Sequence, residues 1–256
     1  MAKKKCRATV LGQQKLAEGI YDLQLETDMV KEAKPGQFVM VFPENAANLL
    51  PRPISICEII KEKNILRLVY RVAGKGTGEF STLQTGDSVA IMGPLGNGYD
   101  LTKAEGKKVM LMGGGIGIPP MLELAKELGG SGILLGYRDA NLFLKEDMEQ
   151  YGDVYVATED GSAGTKGNVC TIIEEKKLQP DMIMACGPMP MLRAIKHYAE
   201  TTGIPAFISL EERMACGVGA CLGCVCKTTK KDAHSHVNNA RVCTDGPVFE
   251  AADVEI

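Results

Sequence analysis

Five of the nine cysteines in this chain fall between residues 216 and 243. The run Cys216-Gly217-Val218-Gly219-Ala220-Cys221-Leu222-Gly223-Cys224 spaces three thiols as C-x4-C-x2-C, and Cys243 follows after eighteen intervening residues. This is the spacing of a plant-type [2Fe–2S] cluster, completed by one distant thiolate. Four thiolates must surround two sulfide-bridged irons while backbone amides turn toward the sulfurs, and the three glycines permit that crowded loop. Cys226 stands two residues after Cys224, too near to wrap around to the far iron, so Cys243 is the expected fourth ligand. The rival is a structural zinc site, which ordinarily comes as two C-x2-C knuckles. His234 and His236 lack the Cys-x-His spacing of a Rieske centre and sit in a polar stretch, where a solvated loop is expected. His197 lies off the apolar stripe of its helix and is given no role.

A second set of residues points to nucleotides. Arg52-Pro53-Ile54-Ser55 enters a strand; an arginine there can hold a pyrophosphate bidentately and a serine hydroxyl can bond a flavin ring nitrogen. Tyr70-Arg71 ends a later strand and Gly74-Lys75-Gly76-Thr77-Gly78 follows, a backbone able to approach phosphate. Gly93-Pro94-Leu95-Gly96-Asn97-Gly98 closes this region. Further on, Gly113-Gly114-Gly115-Ile116-Gly117-Ile118-Pro119-Pro120 lies between a buried strand and an amphipathic helix, where a pyrophosphate would meet a helix N-terminus. It is not G-x-G-x-x-G, because Ile118 replaces the third glycine, so a merely structural βα turn stays open. Cys186-Gly187-Pro188-Met189-Pro190-Met191 repeats the arrangement at a later strand end, and two such crevices on one sheet edge favour a dinucleotide site.

Three kinds of element must position these residues. Up to about residue 100 short alternating runs, such as Tyr21, Leu23 and Leu25 or Leu66, Leu68, Tyr70 and Val72, are separated by the turns Pro35-Gly36, Gly74-Lys75-Gly76 and Gly86-Asp87. This predicts a small antiparallel barrel without helices. From about 105, continuous apolar runs (Val109–Met112, Ile133–Leu135, Met182–Met184) alternate with helical stripes (Met121, Leu124, Ala125, Leu128; Met191, Ile195, Tyr198, closed by Gly203). That grammar predicts a parallel α/β sheet of about five strands, ending at Phe207–Leu210. The last segment is too short to bury a core of its own, so a metal staple is expected. The expected fold is α+β and multi-domain: a β-barrel over 1–101, a parallel α/β nucleotide-binding domain over 102–210, and a cluster domain over 211–256.

Composition narrows the function classes. The chain has 256 residues, 45% hydrophobic and 24% charged, which is ordinary for a globular protein. A net charge of −3 argues against nucleic acid as the main partner. Met1-Ala2-Lys3-Lys4-Lys5 is followed by no apolar stretch, and no long apolar run occurs, so neither export nor membrane spanning is expected. An odd number of clustered cysteines suits a reduced cytoplasm.

Taken together, Arg-Pro-x-Ser, Gly-Gly-Gly-x-Gly-x-Pro-Pro and Cys-Gly-Pro-x-Pro-Met resemble the ferredoxin–NADP reductase superfamily. The cysteine run with Asp245-Gly246-Pro247-Val248-Phe249 narrows the resemblance, which covers about residues 6 to 250, to the electron-transfer subunits of class B, NAD-dependent dihydroorotate dehydrogenases. The resemblance implies FAD on Arg52, Pro53, Ile54, Ser55, Val69, Tyr70, Arg71, Gly76 and Thr77. It implies a [2Fe–2S] cluster on Cys216, Cys221, Cys224 and Cys243. NAD would use Gly114, Gly115, Gly117, Cys186, Gly187 and Pro188. It also implies a partner, an FMN-containing catalytic subunit that oxidises dihydroorotate to orotate, in a heterotetramer of two of each chain. A nicotinamide exchanges electrons in pairs and such a cluster singly, and a flavin joins the two. Two other readings are open: the same module serving a hydrogenase or a glutamate synthase-like partner, and a zinc-stapled, non-catalytic binding module. The choice of NAD over NADP is also open locally, since Arg138 could welcome a 2′-phosphate and Asp139 could repel it.

Overall fold

The computed structural model describes residues 4–231 and 236–256. His234 therefore lies outside the described residues, whereas His236 is exposed. The chain folds as two compact units: Met1–Gly98, Glu211–Val225 and Arg241–Pro247 form one, and Tyr99–Leu210, Cys226–Ala240 and Val248–Ile256 form the other.

The first unit is built on a closed barrel of strands β1 (Lys4–Ala17), β2 (Ile20–Glu26), β3 (Phe38–Phe42), β4 (Arg52–Ile60), β5 (Ile65–Arg71) and β6 (Ser88–Leu95). Their order is β1-β2-β5-β4-β3-β6, and β6 returns to pair with β1. Every pairing is antiparallel, as the alternating pattern requires. Leu23, Leu25, Leu66, Leu68 and Tyr70 face the barrel core with Val39, Ile56 and Ile91. Burying each such aliphatic side chain contributes about 1.5–3 kcal/mol. Asp22 is also buried, at 1% exposure, although it alternates with the core leucines. Its carboxylate is compensated by Arg67, whose Nη2 and Nε donate at 2.8 and 2.9 Å while its Nη1 reaches Glu58 at 3.2 Å.

The barrel region does contain a helix, contrary to the sequence reading: α1 spans Lys75–Phe80. The glycines at 74, 76 and 78 hide it, because they disfavour helix on average. Thr77 compensates: its Oγ1 accepts from the amides of Ala73 and Gly74 at 2.9 and 3.2 Å and donates to the Gly74 carbonyl at 3.1 Å. Phe80 then anchors the far end, edge-on to Tyr70 at 6.2 Å between ring centroids.

The second unit is an α/β sheet. In chain order it runs β7 (Val109–Gly114), α2 (Pro120–Leu128), β8 (Ser131–Tyr137), α3 (Lys145–Met148), β9 (Gly152–Thr158), β10 (Thr165–Lys166), α4 (Val169–Lys176), β11 (Met182–Cys186), α5 (Met189–Thr202) and β12 (Ala206–Ser209). The ribbon strands β13 (Val225–Lys227) and β14 (Asn239–Arg241) follow, and β15 (Val248–Glu250) ends the series. The sheet order is β10-β9-β8-β7-β11-β12-β15, with six parallel strands and an antiparallel β15 at the edge. This corrects the expected five strands at both ends. β10 is only two residues long, and β15 comes from the tail, so Phe207–Leu210 is not the last strand. β7 and β11 are buried along their whole lengths, which explains their unbroken apolar runs. α5 ends at Gly203 in the left-handed region, φ 73°, with His197 on its exposed side. No helix among the described residues is long and apolar enough to cross a membrane.

Candidate functional site

The four cysteines expected to act together all lie in the first unit, and they sort into two pairs. Cys221 reaches Cys216, and Cys243 reaches Cys224, each through its backbone amide. The first pair is on the accessible side, with Cys221 exposed and Cys216 half-buried; Cys224 and Cys243 are 2% and 1% exposed. Backbone amides aim at the sulfurs. Val218 and Cys221 N–H donate to Cys216 Sγ at 3.4 Å, Gly223 N–H to Cys221 Sγ at 3.5 Å, and Cys243 N–H to Cys224 Sγ at 3.4 Å.

These amides set the charge preference of the loop. Burial pushes the Cys216 thiol up, but hydrogen bonds from Val218, Cys221 and Ala220 outweigh it and bring the thiol down to about 6. At Cys243 burial and the Cys224 thiol win, pushing it up to about 11. Cys216 adds to that rise, so the two pairs sense each other electrostatically. Among the described residues, no three His, Cys, Asp or Glu side chains converge to hold a single ion. Two thiol pairs ringed by amide donors suit a dinuclear cluster, in which each iron takes two thiolates. The residues therefore fit the group that their spacing calls for.

The loop backbone explains why glycine is needed. Gly217 and Gly219 have φ of 67° and 82°. A Cβ on Gly217 would come within 2.8 Å of Met40, and one on Gly219 within 2.9 Å of Thr244. Leu222 also takes a positive φ, 55°, and remains 62% exposed.

Three residues around the cluster loop carry no signal in a cysteine motif. Asn97, just after β6, donates from Nδ2 to the carbonyls of Thr244 and Asp245 at 3.0 and 3.1 Å, and its amide donates to Gly246 at 2.6 Å. Arg241 and Asp245 close the turn that holds Cys243. The Asp245 carboxylate accepts from the Arg241 amide at 2.7 Å and from its Nε and Nη2 at 3.1 Å each. The pattern Gly96-Asn97-Gly98 could have hinted at a tight turn, but its partners are about 147 residues away in sequence.

The residues implied for FAD occupy neighbouring strands β4 and β5 and the start of α1. Arg52 donates to the Leu50 carbonyl, and its guanidinium lies over Gly76, where a Cβ would come within 2.9 Å of it. An arginine laid across the opening turn of α1 is suited to a pyrophosphate. Arg71 is exposed at the end of β5, and Ser55 is half-buried in β4. Tyr70 differs. Its ring stacks with Tyr21 at 6.0 Å in the barrel core and its hydroxyl donates to Gln13 Oε1 at 2.8 Å. Thr77 likewise spends its hydroxyl on the cap of α1.

In the second unit the two strand-end turns touch. A Cβ on Gly117 would collide with the Cys186 carbonyl and come within 2.5 Å of the Gly187 amide nitrogen. One on Gly114 would lie 2.5 Å from Met191 Sδ and 3.0 Å from Pro188. Gly115, at φ 53°, turns the chain between them. Tyr99 donates to the Ala185 carbonyl at 2.8 Å beneath this crevice. Both turns lie at the carboxyl ends of adjacent parallel strands, the place where open α/β sheets bind nucleotides.

A closed antiparallel barrel, a doubly wound sheet with paired Gly-rich turns and a four-cysteine loop define a ferredoxin–NADP reductase-like oxidoreductase module that carries an iron–sulfur segment. Residues 211–255 match the family described as "Iron-sulfur cluster binding domain of dihydroorotate dehydrogenase B". The "Dihydroorotate dehydrogenase B (NAD(+)), electron transfer subunit" of Bacillus caldolyticus is 44% identical over 256 residues, 97% of this chain and 97% of that one. The subunit of the same name from Listeria welshimeri serovar 6b is 42% identical, over 96% of this chain and 97% of its own. Among solved structures, that of an NADH-dependent reduced ferredoxin-NADP oxidoreductase superposes with a TM-score of 0.84 at 27% identity, covering 97% of this chain and 89% of that one. The chain belongs to the family of electron transfer subunits of dihydroorotate dehydrogenase B (NAD(+)).

Proposed function

We propose that this chain passes electrons between NAD⁺ and a separate catalytic subunit that oxidises dihydroorotate to orotate, in pyrimidine biosynthesis. The observation that carries the reading is the sorting of four thiols into an exposed and a buried pair within a shell of donating amides. Cys216, Cys221, Cys224 and Cys243 hold the [2Fe–2S] cluster. Arg52–Ser55, Val69–Arg71, Gly76 and Thr77 hold FAD, and Gly114, Gly115, Gly117 and Cys186–Pro188 receive NAD. Residues 1–101, 102–210 and 211–256 are then the FAD, NAD and cluster segments. When bound, the flavin supplies the exchange between a nicotinamide's hydride and the single electrons of an iron–sulfur centre.

The chain's own residues bind and orient. Arg52 meets pyrophosphate charge over the backbone of Gly76, where the lack of a side chain keeps the approach open. Gly117 lets the two nucleotide turns close on each other. The loop amides hold negative sulfur, and the burial of Cys224 and Cys243 keeps water from that pair.

A dihydroorotate site on an eight-stranded βα barrel would need about the whole length of this chain, so the substrate belongs to a partner. That partner is an FMN-containing catalytic subunit, two of each chain assembling together. Val218 and Leu222, 37% and 62% exposed beside the accessible sulfur pair, support its docking there. The location is cytoplasmic, which nine cysteines free of disulfides support.

The test is anaerobic co-expression with such a catalytic subunit, followed by cofactor analysis and assay. Expected are about one FAD and two irons per chain, and NAD⁺ reduction by dihydroorotate that needs both subunits. A colourless zinc protein, or NAD⁺ reduction that survives loss of the cluster, overturns the reading.

A further inference from the structure

The turn that carries Cys243 is closed by Arg241 to an unusual degree. The Arg241 carbonyl accepts from the amides of Thr244, Asp245 and Gly246 at 3.1, 2.8 and 3.3 Å. Its own amide donates to Asp245 Oδ2 at 2.7 Å, so both of its backbone groups serve the turn. The side chain then returns along the same path. Nε and Nη2 engage the two carboxylate oxygens of Asp245 as a fork, which leaves Nη1 on the opposite side. Nη1 points at the other cluster loop: it lies 3.5 Å from the Gly219 carbonyl and 3.2 Å from where a Gly219 Cβ would stand. Gly219 is in the left-handed region between Cys216 and Cys221. One guanidinium therefore ties the Cys243 turn to the Cys216–Cys221 loop.

We propose that Arg241 is a positioning residue for the cluster, fixing the relative placement of its two sulfur pairs, and that its charge raises the cluster's reduction potential. The inference rests on the four-cysteine assignment above. A centre of four thiolates is anionic and gains one more negative charge on reduction, so a cation held nearby favours the reduced state. Asp245 takes the Nε and Nη2 edge, and Nη1 is left beside Gly219, between Cys216 and Cys221. Arg241 is 42% exposed along its side chain, so its influence falls with added salt.

The experiment is an EPR-monitored redox titration of the full chain with its cluster assembled, for wild type, R241Q and R241K, at low and high ionic strength. The expected result is a lower midpoint in R241Q than in wild type, with R241K in between because it keeps the charge and loses the fork. The gap between wild type and R241Q narrows at high salt. A wild-type midpoint in cluster-loaded R241Q overturns the proposal, as does an R241K midpoint equal to that of R241Q. Should R241Q assemble no cluster, R241K is read alone: cluster content near wild type supports a need for positive charge, and no cluster in either variant overturns the electrostatic part. Absence of any [2Fe–2S] signal in wild type would instead refute the underlying cluster assignment.

Discussion

At the scale of residues, the four thiols were legible in the sequence and their partnership was not. Spacing alone picks out Cys216, Cys221 and Cys224, but it does not say that Cys224 pairs with Cys243 across a buried contact. Nor does it reveal Asn97, whose hydrogen bonds to the Cys243 turn link segments 147 residues apart and leave no local pattern. Replacing Cys243 by serine is expected to abolish the visible and EPR signals of the cluster, whereas Cys226→Ser, in the half-buried β13, leaves them unchanged. The reverse result would move the fourth ligand. Asp22 offers a stability test away from the cluster. Asp22→Ala removes the partner of Nε and Nη2 from Arg67, whose side chain is 10% exposed and keeps Glu58 at Nη1, and is expected to cost about 1.5–3 kcal/mol in denaturant unfolding. Replacing Asp22, Arg67 and Glu58 together with apolar residues of similar size should cost less than the single change. A cost under about 1 kcal/mol for the single change would show that the ionic trio is dispensable.

At the scale of elements, periodicity carried most of the fold. Strands β2 and β5 show the alternation of Leu23 and Leu25, and of Leu66, Leu68 and Tyr70, toward the barrel core, although the other face of β5 is covered too; β7 and β11 are apolar throughout because both faces are buried. What escaped was structure held by a few specific bonds. Helix α1 depends on the cap made by Thr77, and the strand character of Val248–Glu250 depends on its pairing with Phe207–Ser209. Tyr70 shows the same limit from another side: no local pattern says that its ring packs in the barrel core against Tyr21 and Phe80. Two turns can be tested directly. Gly117→Ala sets a Cβ against the backbone of Cys186 and Gly187, so nicotinamide affinity should fall at least tenfold while flavin and cluster content hold. Equal NAD affinity by calorimetry would exclude this crevice. Asn97→Ala removes two hydrogen bonds from the Cys243 turn, together about 1.4 kcal/mol, and should speed cluster loss to a chelator about tenfold. An unchanged rate would mean that the turn holds itself.

At the scale of the whole molecule, the division into a barrel and an α/β sheet was legible from the change of periodicity near residue 105, although the barrel also holds the short helix α1. Less legible was the route of the tail. Its stretches Glu211–Val225 and Arg241–Pro247 join the barrel unit, whereas Cys226–Ala240 and Val248–Ile256 join the sheet unit. Composition cannot show this, because a Cys- and Gly-rich segment looks like one small module.

The last strand carries a consequence for biogenesis. β12 would expose a raw row of peptide donors and acceptors if β15 did not lie against it, and Lys196 fastens the next residues by donating to the Ala251 carbonyl at 2.8 Å. The ribosome delivers β15 only after the fourth thiolate has emerged. Until those residues arrive, β12 keeps that row open to a strand of another molecule, so the nascent polypeptide carries a sticky sheet margin that its own tail later seals.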